Sequence, residues 1–532
     1  MARGTARSGR PKRRTLRNAV ALLIGLAATV AITVPAQAAI GTGDDVVRTP
    51  NGAVRGTVTD DHRAFLGIPY AAPPVGDLRW RAPRPAEPWS GVRDATTAGA
   101  PCPQSPHFPD DPPVVGSEDC LSVNVDTPRG ASGPLPVLVF LHGGGFIGGQ
   151  GAPYEPSRIT ERGVIVVTLN YRLGALGFLR HPSMRDPYAG NFGVADQQAA
   201  LRWVRGNIAA FGGDPRNVTL WGESAGAFSV CAHLASPTAH GLFHKAIVQS
   251  GPCGNALLTR EESERRGRVT ATDLGCTDPA HALECLRRKP LTDLVGLGEE
   301  GLTGVRRYQA TLPWLPVAGT AAVPVQPLTA LRHGPGVPLI HGGTRDEVRP
   351  FVARDHDGQG RPLTAERYPG AVRDLYGAES ARKIVDRYPA DAYPSPGLAL
   401  ATLLGDEGRF LGSCSQLPAL DAAARRAPVY AYEFAEPSTE TIGEFPLGAY
   451  HGYDVRQMFG GRFPQGQASA VAQSPVGDTL IRFWTDFART GDPGPEWPRY
   501  RDGTVLSITA GGTVPVDLAR EHRCAFWRGI PG

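Results

Sequence analysis

The sequence lacks the marks of several protein classes. None of its eight cysteines forms a Cys-x-x-Cys pair, and no group of cysteines and histidines has the spacing of a zinc site. No hydrophobic run after residue 38 is long enough for a transmembrane helix, and there is no internal repeat or low-complexity run. These absences argue against a metalloenzyme, a membrane-spanning protein and a repeat protein. The sequence predicts neither a metal nor an organic cofactor.

A strong net charge is also lacking once the N-terminus is set aside. The 532 residues carry a formal net charge of +4, but residues 1–38 hold seven basic side chains and no acidic one. The remaining chain has 48 basic and 51 acidic residues. So balanced a chain gives no indication of a nucleic-acid partner or of binding to an anionic membrane surface.

Residues 1–38 have the layout of a secretion signal. A basic segment is followed by the apolar run Ala19–Val34 and by the small-x-small cleavage site Ala36-Gln37-Ala38. The alternative is an N-terminal membrane anchor, for which the apolar run is short. We therefore expect the signal to be removed, leaving a secreted protein of residues 39–532 without a stable membrane anchor. The chain has eight cysteines, an even number that allows all of them to pair. Disulfides form in oxidising compartments outside the cytosol, so the cysteine content agrees with export.

The middle of the chain alternates between strand and helix patterns. Asp196–Phe211 has apolar residues at helical spacing, and the apolar runs of strand length are residues 137–141, 164–169 and 218–221. Such alternation predicts an α/β fold with a mostly parallel sheet covered on both faces. Residues 255–330 do not continue the alternation and are interpreted as an insertion. Because no linker divides the chain, one domain is expected.

The strongest motif for chemistry is Gly222-Glu223-Ser224-Ala225-Gly226. It ends an apolar strand and leads directly into small residues that favour a helix. A Gly-x-Ser-x-Gly sequence between strand and helix is typical of a nucleophile elbow, which exposes the serine hydroxyl at the top of a sheet. Ser224 is thus the candidate nucleophile. The alternative is a serine in a tight glycine turn without any chemistry.

A second glycine-rich segment, His142-Gly143-Gly144-Gly145-Phe146, follows the strand at 137–141. Glycines after a central strand free backbone N–H groups to bind the oxyanion of a tetrahedral intermediate. We assign these donors to Gly144, Gly145 and Ala225. A phosphate-binding loop is the alternative, but the lysine and the spacing of such a loop are absent.

The base and the acid are sought after Ser224, in the order Ser, acid, His. His451 lies in a loop after the predicted strand at 429–434 and is the candidate base. His341 is its rival, although it precedes every plausible acid. The acid is expected at Asp346 or Glu347, after the strand at 337–340. From the residues alone, either carboxylate is able to orient the imidazole.

Together with Ser117–Leu121, Gly190–Gly193 and His451-Gly452, the two glycine motifs resemble the type-B carboxylesterase family, which includes cholinesterases and some fungal lipases. The resemblance runs from about residue 45 to Trp527. It implies the α/β-hydrolase fold, with a central mostly parallel sheet flanked by helices and with large loop and helical insertions. It also implies Ser224 as nucleophile, Glu347 as acid and His451 as base.

The resemblance further implies three disulfides: Cys102–Cys120, Cys276–Cys285 and Cys414–Cys524. Cys231 and Cys253 remain, and we infer a fourth bridge between the elbow helix and the strand after it. Two positions depart from the family pattern. Val348 stands where the family has glycine after the acid, and residues 107–113 lack the tryptophan that binds choline in cholinesterases.

The sequence therefore predicts a secreted serine carboxylesterase acting on small-molecule carboxylic esters through an acyl-enzyme. Lipase activity on acylglycerols is an alternative with the same mechanism. A non-catalytic cholinesterase-like binding protein is another, but such proteins typically lose the serine or the histidine. The sequence leaves acyl and alcohol specificity and the oligomeric state open.

Overall fold

The structure, a computed structural model, describes residues 43–106, 111–130, 133–297, 312–460 and 474–530. The predicted secretion signal lies outside these residues. The described strands, β1 to β18, are Val46–Thr49, Gly52–Arg55, Thr57–Val58, His62–Pro69, Val92–Asp94, Ser122–Pro128, Leu135–Leu141, Ile165–Leu169, Gly213–Glu223, Lys245–Gln249, Leu258–Thr259, Val317–Ala318, Leu339–Thr344, Val429–Phe434, Ser438–Ile442, Phe445–Gly448, Thr504–Thr509 and Gly512–Asp517.

The main sheet has eleven strands in the order β18-β17-β14-β13-β10-β9-β7-β8-β6-β4-β3. The strands from β17 to β8 run parallel, and antiparallel strands extend the sheet at both ends. Parallel strands have both faces covered, which explains their continuous apolar sequences. The α/β-hydrolase fold with a mostly parallel sheet is confirmed.

Helices cover the sheet. Within the described residues, α1 to α16 are Ser157–Thr160, Gly174–Phe178, Phe192–Asn207, Ala225–Leu234, Arg260–Asp273, Ala282–Arg287, Leu291–Leu294, Pro327–His333, Arg349–Asp355, Tyr368–Arg387, Pro396–Asp406, Leu417–Ala424, Tyr453–Met458, Pro475–Thr490, Leu518–Glu521 and Cys524–Trp527. None of the described helices is both long and apolar enough to cross a membrane.

Strand β7 shows how the sheet divides the core. Val139 and Leu141 belong to the cluster that includes residues of α3 and α4, whereas Leu138 and Phe140 belong to a second cluster with residues of α14. Successive side chains of a strand point to opposite faces, so one apolar run supplies both clusters. Strand β7 therefore lies between the two clusters at the centre of the sheet, where the candidate nucleophile is located.

The predicted helix over Asp196–Phe211 begins earlier than expected. The α-helix α3 spans Phe192–Asn207 and continues as a 3₁₀ turn over Ile208–Phe211. Asp196 is therefore inside the helix, fully buried, with both carboxylate oxygens 2.7 Å from nitrogens of Arg172. The helix accommodates this buried carboxylate because the buried guanidinium of Arg172 balances its charge.

The segment predicted as an insertion leaves the main sheet. Strand β10 pairs directly with β13, although 89 residues separate their ends, and β11 pairs only with β12 among the described strands. Helices α5 to α7 lie in the same stretch, of which residues 298–311 fall outside the described ones.

All eight cysteines are paired, as Cys102–Cys120, Cys231–Cys253, Cys276–Cys285 and Cys414–Cys524.

Candidate active site

Ser224 occupies the turn between β9 and α4. Its backbone has φ 55° and ψ −120°, a conformation that non-glycine residues rarely adopt. The turn is held from outside, because the Ser224 N–H donates to the carbonyl of Gln249 on β10 at 2.9 Å. The neighbouring strand thus stabilises a strained serine at the carboxyl end of the sheet.

The two glycines of the motif are required by close approach. A Cβ atom at Gly226 would overlap the carbonyl oxygen of Leu141 at the end of β7. A Cβ atom at Gly222 would overlap the backbone of Gly226 on the first turn of α4. A side chain at either position would push the helix away from the sheet, so the glycines allow the sharp strand-to-helix turn.

His451 reaches the serine from the loop between β16 and α13. Its Nε2 lies 2.9 Å from the Ser224 hydroxyl oxygen, and its Nδ1 lies 2.6 Å from Oε2 of Glu347. The side chain of Glu347 is 1% exposed and that of His451 is 14% exposed. A hydroxyl, an imidazole and a buried carboxylate are therefore aligned for proton transfer from the serine oxygen.

The two carboxylates that the residues alone left open have different positions. Glu347 bonds His451 with one oxygen, and its other oxygen accepts the N–H of Thr344 at 2.8 Å. Asp346 instead accepts the N–H of Ala449. Val348 adopts φ −97° and ψ −10°, an ordinary right-handed conformation, so this loop does not need glycine there.

His341, the rival base, lies elsewhere. It is fully buried in the middle of β13, and its Nε2 accepts the N–H of Cys253 at 3.3 Å. Burial lowers its pKa to about 4, which keeps the imidazole neutral. Its surroundings are those of a core residue, and its hydrogen bond goes to a backbone amide, whereas the hydroxyl of Ser224 bonds His451.

The glycine-rich segment lies against the serine. Gly144 and Gly145 have φ 110° and 63°, and a Cβ atom at Gly143 would come within 3.0 Å of the Ser224 Cβ. Ala225 is the first residue of α4, so its N–H has no acceptor within the helix. His142 supports the segment by stacking on Tyr171, with ring centroids 4.4 Å apart. The three proposed oxyanion donors thus belong to two backbone segments that meet at Ser224.

Glu223 is a member of the site that the sequence reasoning missed. Its Oε1 lies 3.3 Å from Nε2 of His451, so a second carboxylate faces the imidazole. Burial raises the pKa of Glu223 to about 7. Burial lowers the pKa of His451, but the charges of Glu347 and Glu223 outweigh it and raise this pKa to about 9. The only sequence signal for this role of Glu223 is that it directly precedes Ser224 in the Gly-x-Ser-x-Gly motif.

The chain is similar to known proteins over most of its length. Residues 43–527 match the family model described as "Carboxylesterase family". The chain is 36% identical to the para-nitrobenzyl esterase of Bacillus subtilis (strain 168), over 90% of this chain and 97% of that protein. It is also 36% identical to the phenmedipham hydrolase of Pseudarthrobacter oxydans, over 89% of this chain and 97% of that protein.

Solved structures give the same result. One structure of a PNB esterase superposes with a TM-score of 0.76 and 32% sequence identity, covering 92% of this chain and 100% of that chain. Family model, sequence relatives and structural neighbours all span nearly the whole chain. The chain therefore belongs to the carboxylesterase family and is a carboxylic ester hydrolase.

Proposed function

We propose that the protein hydrolyses carboxylic esters through an acyl-enzyme on Ser224, with His451 as general base and Glu347 as the acid of the triad. The observation that carries the proposal is the unbroken path Ser224 Oγ to His451 to Glu347, with distances of 2.9 and 2.6 Å. Nucleophile and base within hydrogen-bond reach, with a third group orienting the base, is the arrangement that activates a serine.

The geometry supports a definite sequence of steps. The Ser224 oxygen attacks the ester carbonyl carbon while its proton passes to Nε2 of His451. The N–H groups of Gly144, Gly145 and Ala225 stabilise the oxyanion, and Glu347 stabilises the imidazolium through Nδ1. His451 then returns the proton to the departing alcohol. Water, deprotonated by the same imidazole, attacks the acyl-enzyme and releases the carboxylic acid.

The acyl-enzyme is tested by product partitioning. Esters that share one acyl group but carry different alcohols are hydrolysed in the presence of methanol as a competing acceptor. If all pass through one acyl-enzyme, the ratio of methyl ester to free acid is the same for every leaving alcohol. A ratio that changes with the leaving alcohol would mean that water attacks the substrate directly, and the proposal would fail.

The substrate is proposed to be a small-molecule ester. The relatives are named for different compounds, para-nitrobenzyl in one case and phenmedipham in another, so membership of the family does not define the substrate. An acylglycerol lipase would use the same three residues. A rate jump above the solubility limit of a short-chain triglyceride would assign the protein to lipases, whereas saturation below that limit is expected for the esterase.

We further propose export and removal of residues 1–38. The four disulfides support an oxidising compartment, since thiols are kept reduced in the cytosol. N-terminal sequencing of the exported protein is expected to begin at Ala39. A sequence that begins within residues 1–10 would contradict cleavage.

The pH dependence follows from the carboxylates around His451. The base must be neutral, so kcat/KM falls as the pH drops through the pKa of His451, which two carboxylates raise. Glu223→Gln removes one of these negative charges and destabilises the imidazolium. We expect the acid limb of the kcat/KM profile to move to lower pH by about 1 unit or more.

Glu407→Gln is the matched control for this shift. Glu407 is also buried, burial raises its pKa to about 7 as well, and it bonds Tyr376 rather than a triad residue. The control is expected to leave the acid limb in place. An unmoved limb in Glu223→Gln, or an equal shift in both variants, would show that Glu223 does not act on the imidazole.

A further inference from the structure

The carboxylate of Asp346 joins the two loops that carry Glu347 and His451. The Asp346 N–H donates to the carbonyl of Ala449, and the Ala449 N–H donates back to Oδ2 of Asp346, each at 2.9 Å. Asp346 directly precedes Glu347, and Ala449 is two residues before His451. The two hydrogen bonds therefore tie the loops together beside the Glu347–His451 pair.

Arg349 holds the other oxygen of this carboxylate. Its Nη2 lies 2.8 Å from Oδ1 of Asp346, and the two side chains are only 24% and 17% exposed. A Cβ atom at Gly448, which has φ 63°, would overlap both Oδ2 of Asp346 and the Arg349 guanidinium. Each carboxylate oxygen of Asp346 thus has its own partner. The backbone of the loop that carries His451 passes close to both Asp346 and Arg349.

Among the described residues, the side chain of Asp346 bonds Ala449 and Arg349 rather than the serine or the imidazole, so any effect on the triad passes through the loops. We propose that Asp346, anchored by Arg349, is a positioning residue that sets the distance between Glu347 and His451. The proposal rests on the triad proposed above and adds a fourth residue, with a second carboxylate, to it. The carboxylate of Glu347 orients the imidazole. The carboxylate of Asp346 holds the loop that carries Glu347 at a fixed distance from the loop that carries His451.

Loosening this connection has two expected consequences. A displacement of about 1 Å in a catalytic group lowers a rate by up to about 100-fold, so Asp346→Ala is expected to lower kcat about 10- to 100-fold. A longer Glu347–His451 distance also weakens the attraction that stabilises the imidazolium. The acid limb of the pH profile is therefore expected to move to lower pH, while KM changes by less than about twofold.

The charged groups around both residues are known. Arg349 and Arg345 face Asp346 as cations and Glu433 faces it as an anion, while Glu347, Glu223 and Asp454 surround His451. None of the latter three is altered in Asp346→Ala. Asp346→Asn removes the same negative charge as Asp346→Ala but keeps an acceptor for the Ala449 N–H. An acid limb that shifts further in Asp346→Ala than in Asp346→Asn therefore reports a changed distance between Glu347 and His451.

Two variants separate the hydrogen bond from the ion pair. Asp346→Asn keeps an oxygen that accepts the Ala449 N–H and is expected to recover most of the kcat lost in Asp346→Ala. Arg349→Met leaves the carboxylate of Asp346 without its ion-pair partner. It is expected to lose less kcat than Asp346→Ala, and its acid limb is expected to shift in the same direction. Asp186→Ala is the control, since Asp186 accepts the N–H groups of Ala82 and Tyr188 and clasps a different loop.

The experiment measures kcat, KM and the pH profile of these variants with a nitrophenyl ester, per active site titrated with a fluorophosphonate. The inference is overturned if Asp346→Ala keeps the wild-type kcat and acid limb. It is also overturned if the activity of Asp346→Ala falls only because fewer of its active sites react with the fluorophosphonate. If Asp346→Ala does not fold, Arg349→Met decides, and wild-type kcat and acid limb in that variant overturn the inference. An active His451→Ala would instead remove the triad itself.

Discussion

Replacing Ser224 with alanine is expected to lower kcat/KM for a short-chain nitrophenyl ester by about 10⁴-fold or more, with the fold retained. The variant removes only the oxygen that attacks the ester. It leaves the glycine contacts and the Ser224 N–H bond to Gln249, and alanine at φ 55° is no more strained than serine. The measurements are steady-state hydrolysis and near-UV circular dichroism.

Ser236→Ala is the matched control for this variant. Ser236 is also buried and its hydroxyl bonds Gln198 and Ala322, but it lies beyond the far end of α4. It is expected to keep wild-type turnover. Hydrolysis by Ser224→Ala within tenfold of wild type would show that another group forms the acyl-enzyme or that none is formed.

Replacing His451 with alanine is expected to cost nearly as much, about 10⁴-fold or more in kcat. Without the imidazole, the Ser224 proton has no acceptor at 2.9 Å and the leaving alcohol has no proton donor. Because serine and histidine act as one unit, the double variant is expected to be no slower than either single variant. Losses that simply multiply would mean independent roles.

His341→Gln distinguishes the predicted base from its rival. His341 is buried with a pKa lowered to about 4 by burial, and it bonds a backbone amide rather than the serine. Its replacement is expected to affect stability more than turnover, since it leaves Ser224 and His451 in place. Abolished turnover in a folded His341→Gln, together with retained turnover in His451→Ala, would exchange their roles.

Much of the site could be predicted because it is encoded locally. Gly222 and Gly226 mark a strand-to-helix turn, and the three glycines after β7 mark a segment with unusual backbone angles. Such constraints involve few residues and leave a short, readable pattern. The central parallel strands were equally clear, because a strand buried on both faces is apolar throughout.

Other features depend on contacts between distant residues, so the residue pattern alone left them open, although the family resemblance implied Glu347 as the acid. The choice between Asp346 and Glu347 is made by the loop that brings His451 to one of them, about 100 residues later in the sequence. The buried Asp196 inside α3 requires Arg172 from another segment. Adjacent positions gave the two carboxylates the same sequence pattern, although their partners differ completely.

The most direct test of the triad is covalent labelling with a fluorophosphonate, followed by mass spectrometry of the proteolytic peptides. The reagent transfers its phosphonyl group to a serine oxygen that a neighbouring base has activated. We predict one label per chain, on Ser224, and a rate of labelling that falls steeply in His451→Ala. A label on any other residue, or labelling of Ser224 at an unchanged rate without His451, would contradict the proposed triad.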